Sequence, residues 1–152
     1  MKKFELTSEF VTFLGKKLFR IKALVSFGDV KEGELGGLVE KEENLDQSGD
    51  AWVSGDAWVY GDAWVSGDAR VSGDARVQNC RDYSATSCFG SENRTTTFFR
   101  TEDGGISVIC GCFYGTLNEF REKVKERHGD SRLAKEYLML ADLMEFRLSK
   151  DE

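Results

Sequence analysis

Proline is absent from all 152 residues, so every tight reversal of the chain must rest on glycine and aspartate. Histidine occurs once, at His128, which leaves one imidazole for any general-base chemistry. The four cysteines, Cys80, Cys88, Cys110 and Cys112, lack the Cys-x-x-Cys spacing of zinc knuckles. They read as reduced, small buried thiols, with no metal expected, and Cys110 and Cys112 read as two residues of one strand facing the same way. No apolar run is long enough to span a bilayer. Met1-Lys2-Lys3 is not followed by a clean apolar core, so no signal peptide is expected and the location reads as cytoplasmic. Phosphate-binding loops of the P-loop or dinucleotide type are missing, and no cofactor is expected. Positive charge is also short. There are 27 acidic against 21 basic residues, a net charge of −6, which argues against non-specific binding of nucleic acid. That balance suits a soluble protein, or one that occupies a basic surface on a partner.

What is present is a repeat. From Gly49 to Gln78 the chain reads GDAWVS, GDAWVY, GDAWVS, GDARVS, GDARVQ, with no drift. The period is too long for an amphipathic helix, and the strands it allows are too short for hairpins. The economical arrangement is a β-solenoid in which three units close one coil and parallel strands stack. Val and Ala then face inward, and Gly-Asp supplies the corners. Residues three units apart stack, so Trp52 lies over Arg70 and Trp58 over Arg76. These would be outward cation–π pairs worth about 0.5–1 kcal/mol each. Trp52, Trp58 and Trp64 are accordingly candidates for rung stiffening or for an interface.

The Val-x-Gly-Asp-Ala pattern resembles the hexapeptide repeat of left-handed parallel β-helices. The lead-in from Gly28 to Leu45 is similar to one found in bacterial and bacteriophage hexapeptide-repeat proteins of the acyltransferase type. Cys110 to Phe120, followed by His128-Gly129-Asp130 and Ala134 to Tyr137, resembles a small module of uncharacterised phage proteins. The resemblance is specific for a fold and implies no defined activity.

The expected fold class is therefore mainly β: a short left-handed parallel β-helix, a hexapeptide-repeat solenoid, with an N-terminal strand cap and a C-terminal ββαα module. Residues 1–28 form the cap, with a turn at Phe13 to Lys17. Residues 29–90 form the solenoid, interrupted by an insertion near Asp46 to Ser48 and decaying after Asn79, with Ala85 to Gly90 transitional. Residues 91–152 form a β-hairpin and two helices. Thr95 to Arg100 pairs with Ile106 to Cys110. Thr116 and Glu119 make a capping box, with Leu117, Phe120, Val124 and His128 on one stripe. Asp130 or Ser131 starts a second helix whose main stripe is Leu133, Tyr137, Leu140 and Met144. Met139, Leu143 and Phe146 extend its apolar surface beyond one helical hairpin and read as an interface. So short a solenoid is expected to self-associate, as a trimer first and a dimer second.

Three functions are compatible with these residues. One is a non-enzymatic phage-type interaction protein that counters a bacterial defence system, by binding a host protein or sequestering a small anionic, nucleotide-like ligand. Arg94, Arg100, Tyr114, His128 and Lys135 are its candidate ligand-binding residues, with Asn93, Thr95 and Thr96 nearby. The second is acyl transfer from acyl-CoA, which the resemblance suggests. It lacks the expected histidine on the coils, since His128 ends a helix, and no catalytic residue is assigned. The third is a purely structural or assembly module.

Overall fold

The computed structural model describes residues 2–79, 81–89, 94–111 and 113–149, with the side chains of 87–89 and 94 outside that description. The chain is mainly β with two helices and divides into two compact units, Met1–Cys80 and Arg81–Glu152. Among the described residues, no helix is long and apolar enough to cross a membrane.

The first unit begins with a long hairpin, β1 (Phe4–Phe13) against β2 (Lys16–Ala23). Its turn falls at Leu14-Gly15, where both residues have positive φ. Strand β3 (Leu35–Val39) adds to β2 in antiparallel fashion. The repeat follows as two-residue strands: β4 (Trp52–Val53), β5 (Trp58–Val59), β6 (Arg70–Val71) and β7 (Arg76–Val77). Their pairing is parallel and joins positions three units apart. Trp52 pairs with Arg70 and Val53 with Val71, while Trp58 pairs with Arg76 and Val59 with Val77. Val53, Val59, Val65, Val71 and Val77 are fully buried, and so are Ala51, Ala57, Ala69 and Ala75. Each buried valine contributes about 1.5–3 kcal/mol of apolar burial, which is how so little strand holds its place.

The fold class is nonetheless not the left-handed parallel β-helix expected from the repeat. The first unit holds a mixed five-stranded sheet, β1-β2-β3-β5-β7, and a two-stranded sheet, β4-β6; the second holds a wholly antiparallel sheet. The physical reason is strand length. The repeat strands carry two residues each, whereas the strands outside it run to 10 residues and pair antiparallel with one another, β3 alone also joining the repeat in parallel at β5. The periodic stretch is the most conspicuous part of the sequence but contributes the least regular β-structure.

Two buried polar side chains, Asn44 and Lys3, and the half-buried Gln47 fasten the repeat and its flanks. Asn44, in a tight turn at Glu42–Asn44, donates from Nδ2 to Ala63 O at 2.8 Å and to Gly61 O at 3.3 Å. Its Oδ1 accepts from Lys41 N at 3.0 Å. Gln47, in the insertion, accepts from Lys3 N at 2.7 Å and from Phe4 N at 3.3 Å. Lys3 is buried and donates from Nζ to Ala51 O at 2.8 Å, with its ammonium 4.8 Å from the Phe27 ring. Burial lowers the Lys3 pKa, against the opposing fields of Asp46 and Asp50.

In the second unit, β8 (Tyr83–Phe89), β9 (Arg94–Arg100), β10 (Ile106–Cys110) and β11 (Phe113–Thr116) form a meander in the order β11-β10-β9-β8. The expected two-stranded hairpin is thus the centre of four strands, and the stretch read as transitional is largely strand β8. Cys110 ends β10, and Gly111, with φ 60°, turns the chain directly after it. Cys112, and with it the reading of the two cysteines as neighbours on one strand, lies outside the described residues. Helix α1 (Leu117–His128) has the capping box, with Glu119 N donating to Thr116 Oγ1 at 3.1 Å and Thr116 N donating to Glu119 Oε1 at 2.8 Å. Ser131 caps α2 (Arg132–Leu148). The helices and sheet share one core of Phe98, Val108, Phe120, Val124, Tyr137, Leu140, Met144 and Leu148.

Two stability predictions follow from the first unit. Gly61 and Gly67 have almost the same backbone, φ 63° and 64°. A Cβ on Gly61 would lie 2.7 Å from Gln78 O, whereas one on Gly67 would meet nothing within 4 Å. Gly67→Ala should cost about 1–2 kcal/mol, the penalty of the left-handed conformation alone, and Gly61→Ala distinctly more in urea unfolding. Equal losses would show that the close approach does not matter. For Lys3, the folded pKa is lowered from 10.5, so between the two values the unfolded chain binds the extra proton. Stability relative to Lys3→Met should therefore rise with pH through the window below 10.5, as read from paired melts. A flat or falling difference would contradict it.

Candidate functional site

The second unit carries an open groove of 820 Å³ beside the C-terminal half of α2, lined by Arg81, Ser84, Arg100, Leu143, Met144, Phe146, Arg147 and Ser149. Its floor is set by Arg100 at the end of β9. The last carbonyls of a helix have no partner within the helix, and they form the negative end of its dipole. Arg100 answers both needs. Its Nε donates to Leu148 O and its Nη2 to Ser149 O at 3.1 Å. Nη1 pairs with the buried Asp82 carboxylate at 3.1 Å. The guanidinium therefore belongs to the frame of the groove, fixing the end of α2 to the sheet.

Two acidic side chains of α2 are held by Arg121 on α1. Its Nη2 meets Glu145 Oε1 at 2.6 Å and Asp142 Oδ1 at 2.9 Å. Burial works against the Arg121 charge, but the hydrogen bonds it donates to Glu145 and Asp142 prevail and raise its pKa. Two carboxylates of α2 are thus tied to its neighbour helix. Among the described residues lining the groove there are three arginines and no carboxylate.

The structure gathers only part of the expected ligand-binding set. Arg100 lines the groove. Lys135 is exposed near the start of α2, and Tyr114 is exposed on β11. His128 ends α1, half-buried, with its ring stacked 5.8 Å from that of Tyr137. None of these three lines the groove. Thr96 is buried and its hydroxyl donates to Cys110 Sγ at 3.2 Å. The Arg94 and Cys88 side chains, and Asn93, Cys80 and Cys112, lie outside the described residues. Among those described, no group of three or more His, Cys, Asp or Glu is placed to hold a metal ion.

The interface candidates divide as well. Leu143 and Phe146 line the groove and are 55% and 84% exposed, with Met139 at 70% on the same helix face. Trp64 is 56% exposed. Trp58 lies under Arg76, whose Cζ is 4.0 Å from the ring centre, and it packs against Phe13 at 4.9 Å. Trp52 is not outward. It is 2% exposed and packs edge-on to Phe27 at 5.4 Å, while Arg70 instead pairs with Asp29 at 2.7 Å. Arg81 and Arg147 were missed by the sequence reading. The one available signal was the place of Arg147 directly after exposed Phe146, on the side of α2 away from its core stripe.

In comparisons with known proteins, no family model and no curated protein matches the chain. The resemblance to hexapeptide-repeat proteins of the acyltransferase type, and to a phage module, is therefore corrected: neither the sheet topology nor any family model supports it.

Removing the Arg100 guanidinium would take the ion pair from the buried Asp82 carboxylate and leave two helix-end carbonyls uncapped. Arg100→Ala should destabilise the second unit by about 3–5 kcal/mol in chemical denaturation. An effect below about 1 kcal/mol would show that the guanidinium is not structural.

Proposed function

We propose that the chain is a non-enzymatic interaction module that binds an anionic partner, with the groove of the second unit as its docking place. The observation that carries this reading is the exposed apolar row of Met139, Leu143 and Phe146 on α2, beside a groove whose lining includes Arg81 and Arg147. Guanidinium groups favour carboxylate and phosphate oxygens because their planar N–H pairs match them. The local sign is opposite to that of the whole chain. A net charge of −6 points to a basic partner, whereas the groove suits an acidic one. The bound species is proposed to be an acidic segment of a protein or a small nucleotide-like anion, met in the cytoplasm.

Titration of the ¹⁵N-labelled protein with polyglutamate and with a nucleoside triphosphate tests this reading. At least one should move the resonances of Arg81, Phe146 and Arg147, and the Arg81→Glu/Arg147→Glu double variant should lose the response. Added salt should weaken it, as expected of exposed charge pairs. No response to either anion at millimolar concentration would sink the proposal.

A further inference from the structure

We infer that the outer edge of β1 pairs with β1 of a second copy of this chain, antiparallel and centred on Val11. This contact belongs to the first unit and is independent of the groove. Strand β1 ends the five-stranded sheet, and among the described residues β2 is its only strand neighbour. An end strand presents unpaired N–H and C=O groups that another strand can take up. The start of this edge is already occupied, since Gln47 accepts from Phe4 N at 3.3 Å and donates to Phe4 O at 3.4 Å. Its middle is bulged. The register shifts between Leu6 and Phe10, Thr7 Oγ1 donates to Arg20 O at 2.8 Å, and Glu9 N donates to Thr7 Oγ1 at 3.3 Å. Bulges and charged side chains are the usual protection of an edge. From Phe10 to Phe13 neither is present. The register with β2 is regular there, and Phe10, Val11 and the turn residue Leu14 are 44%, 38% and 82% exposed.

The direction of the main chain sets the register. A two-residue turn closes on a pair that exchanges both main-chain bonds, here Phe13 and Lys16. Alternation then gives Val11 to β2 and turns the N–H and C=O of Phe10 and Thr12 outward. A two-fold axis at Val11 sets Phe10 opposite Thr12 of the second copy, and Thr12 opposite its Phe10, so that all these outward groups bond. Val11 meets Val11 of the copy in a non-hydrogen-bonded pair, where side chains stand closest. Val11 shares its face with buried Leu18 and with Phe13, which packs on Trp58 at 4.9 Å, so the axis joins two apolar patches that are already supported. Charge favours the same arrangement. Glu5 and Glu9 lie toward the base of the hairpin, and Lys16 and Lys17 lie at its tip. An antiparallel copy brings tip beside base at both ends of the contact. Glu9 and Lys16 keep their own partners, Arg20 at 3.3 Å and Glu40 at 3.8 Å, so the match is one of overall field and needs no new ion pair. An unrelated strand has no such built-in match, and the two-fold closes the contact as a dimer.

The test is sedimentation velocity on the full chain from about 1 µM to about 1 mM, where a monomer–dimer equilibrium is expected. Thr12→Pro removes an outward N–H and leaves the bonds to β2 in place, as proline on an edge strand allows. It should weaken the dimer by about tenfold or more. Val11→Lys, which sets two like charges on the axis, should weaken it at least as much. Thermal melts at the lowest concentration verify that both variants fold. Cross-linking gives a readout that depends on neither. Val11→Cys should form a disulfide between chains under mild oxidation, because residues facing each other in a non-hydrogen-bonded pair stand about 4.5 Å apart at Cα, within reach of the bond. Glu5→Cys, far from the axis, and the unsubstituted chain should not. A chain that stays monomeric throughout overturns the inference, as does a dimer indifferent to both Thr12→Pro and Val11→Lys. Equal cross-linking of Val11→Cys and Glu5→Cys overturns the register. A dimer abolished by Phe146→Ser alone would place the contact on α2, and open-ended assembly would mean that β1 meets a different edge. Either result also overturns the inference.

Discussion

Backbone hydrogen bonds between positions three repeats apart are the constraint on which the first unit depends. Trp52 N donates to Ala69 O at 3.1 Å and Ser54 N to Val71 O at 2.9 Å. Trp58 N donates to Ala75 O and Tyr60 N to Val77 O, both at 2.9 Å. Each bond adds about 1 kcal/mol net, but a buried amide left without one would cost as much or more. The repeat must therefore return to itself in one register. That register brings glycine next to backbone. A Cβ on Gly49 would stand 2.8 Å from Gly67 O, at φ 73°. At Gly49 and Gly61 the glycine is thus a packing requirement as well as a turn requirement, whereas at Gly67 it serves the turn alone.

Such short strands leave their ends to be satisfied by side chains from elsewhere. Asn44 and Lys3 do this at Ala63 O and Ala51 O, and Gln47 does the same at the start of β1, each bonding to main-chain groups. The same device recurs in the second unit, where Arg100 bonds the last carbonyls of α2. In both units a long polar side chain completes a backbone ladder that the local sequence cannot close. These residues contribute to stability through the groups they satisfy, so their loss is costlier than an ordinary surface substitution.

Much of the local structure was legible because it rests on neighbours in sequence. The capping box of Thr116 and Glu119, the turn after Phe13, the inward Val and Ala of the repeat and the excess apolar face of α2 all follow from spacing. The Trp58–Arg76 stack was legible from the repeat interval. The fold class was not, because periodicity reports the register of the repeat but not how the longer strands beside it pair. Trp52 shows the same limit. It has the same repeat position as Trp58, yet Phe27, from outside the repeat, covers it. The strand Tyr83–Phe89 escaped notice because the repeat decays there and Ser, Thr and Ala give a weak strand pattern. Arg100 was legible as a cation, but its partners at Leu148 and Ser149 are far along the chain.

The candidate site was half legible for a related reason. Leu143 and Phe146 declare themselves as surplus apolar residues on a helix whose core stripe is already complete. The ion pairs beside them do not, because each partner comes from another element. Asp142 and Glu145 lie on α2, and Arg121 of α1 holds both. Asp82 stands directly after Arg81 in sequence, yet Arg100, from the far end of β9, pairs with it. Spacing along one helix therefore reveals a surplus apolar face, whereas the charges that border it are set by contacts between elements that no local pattern records.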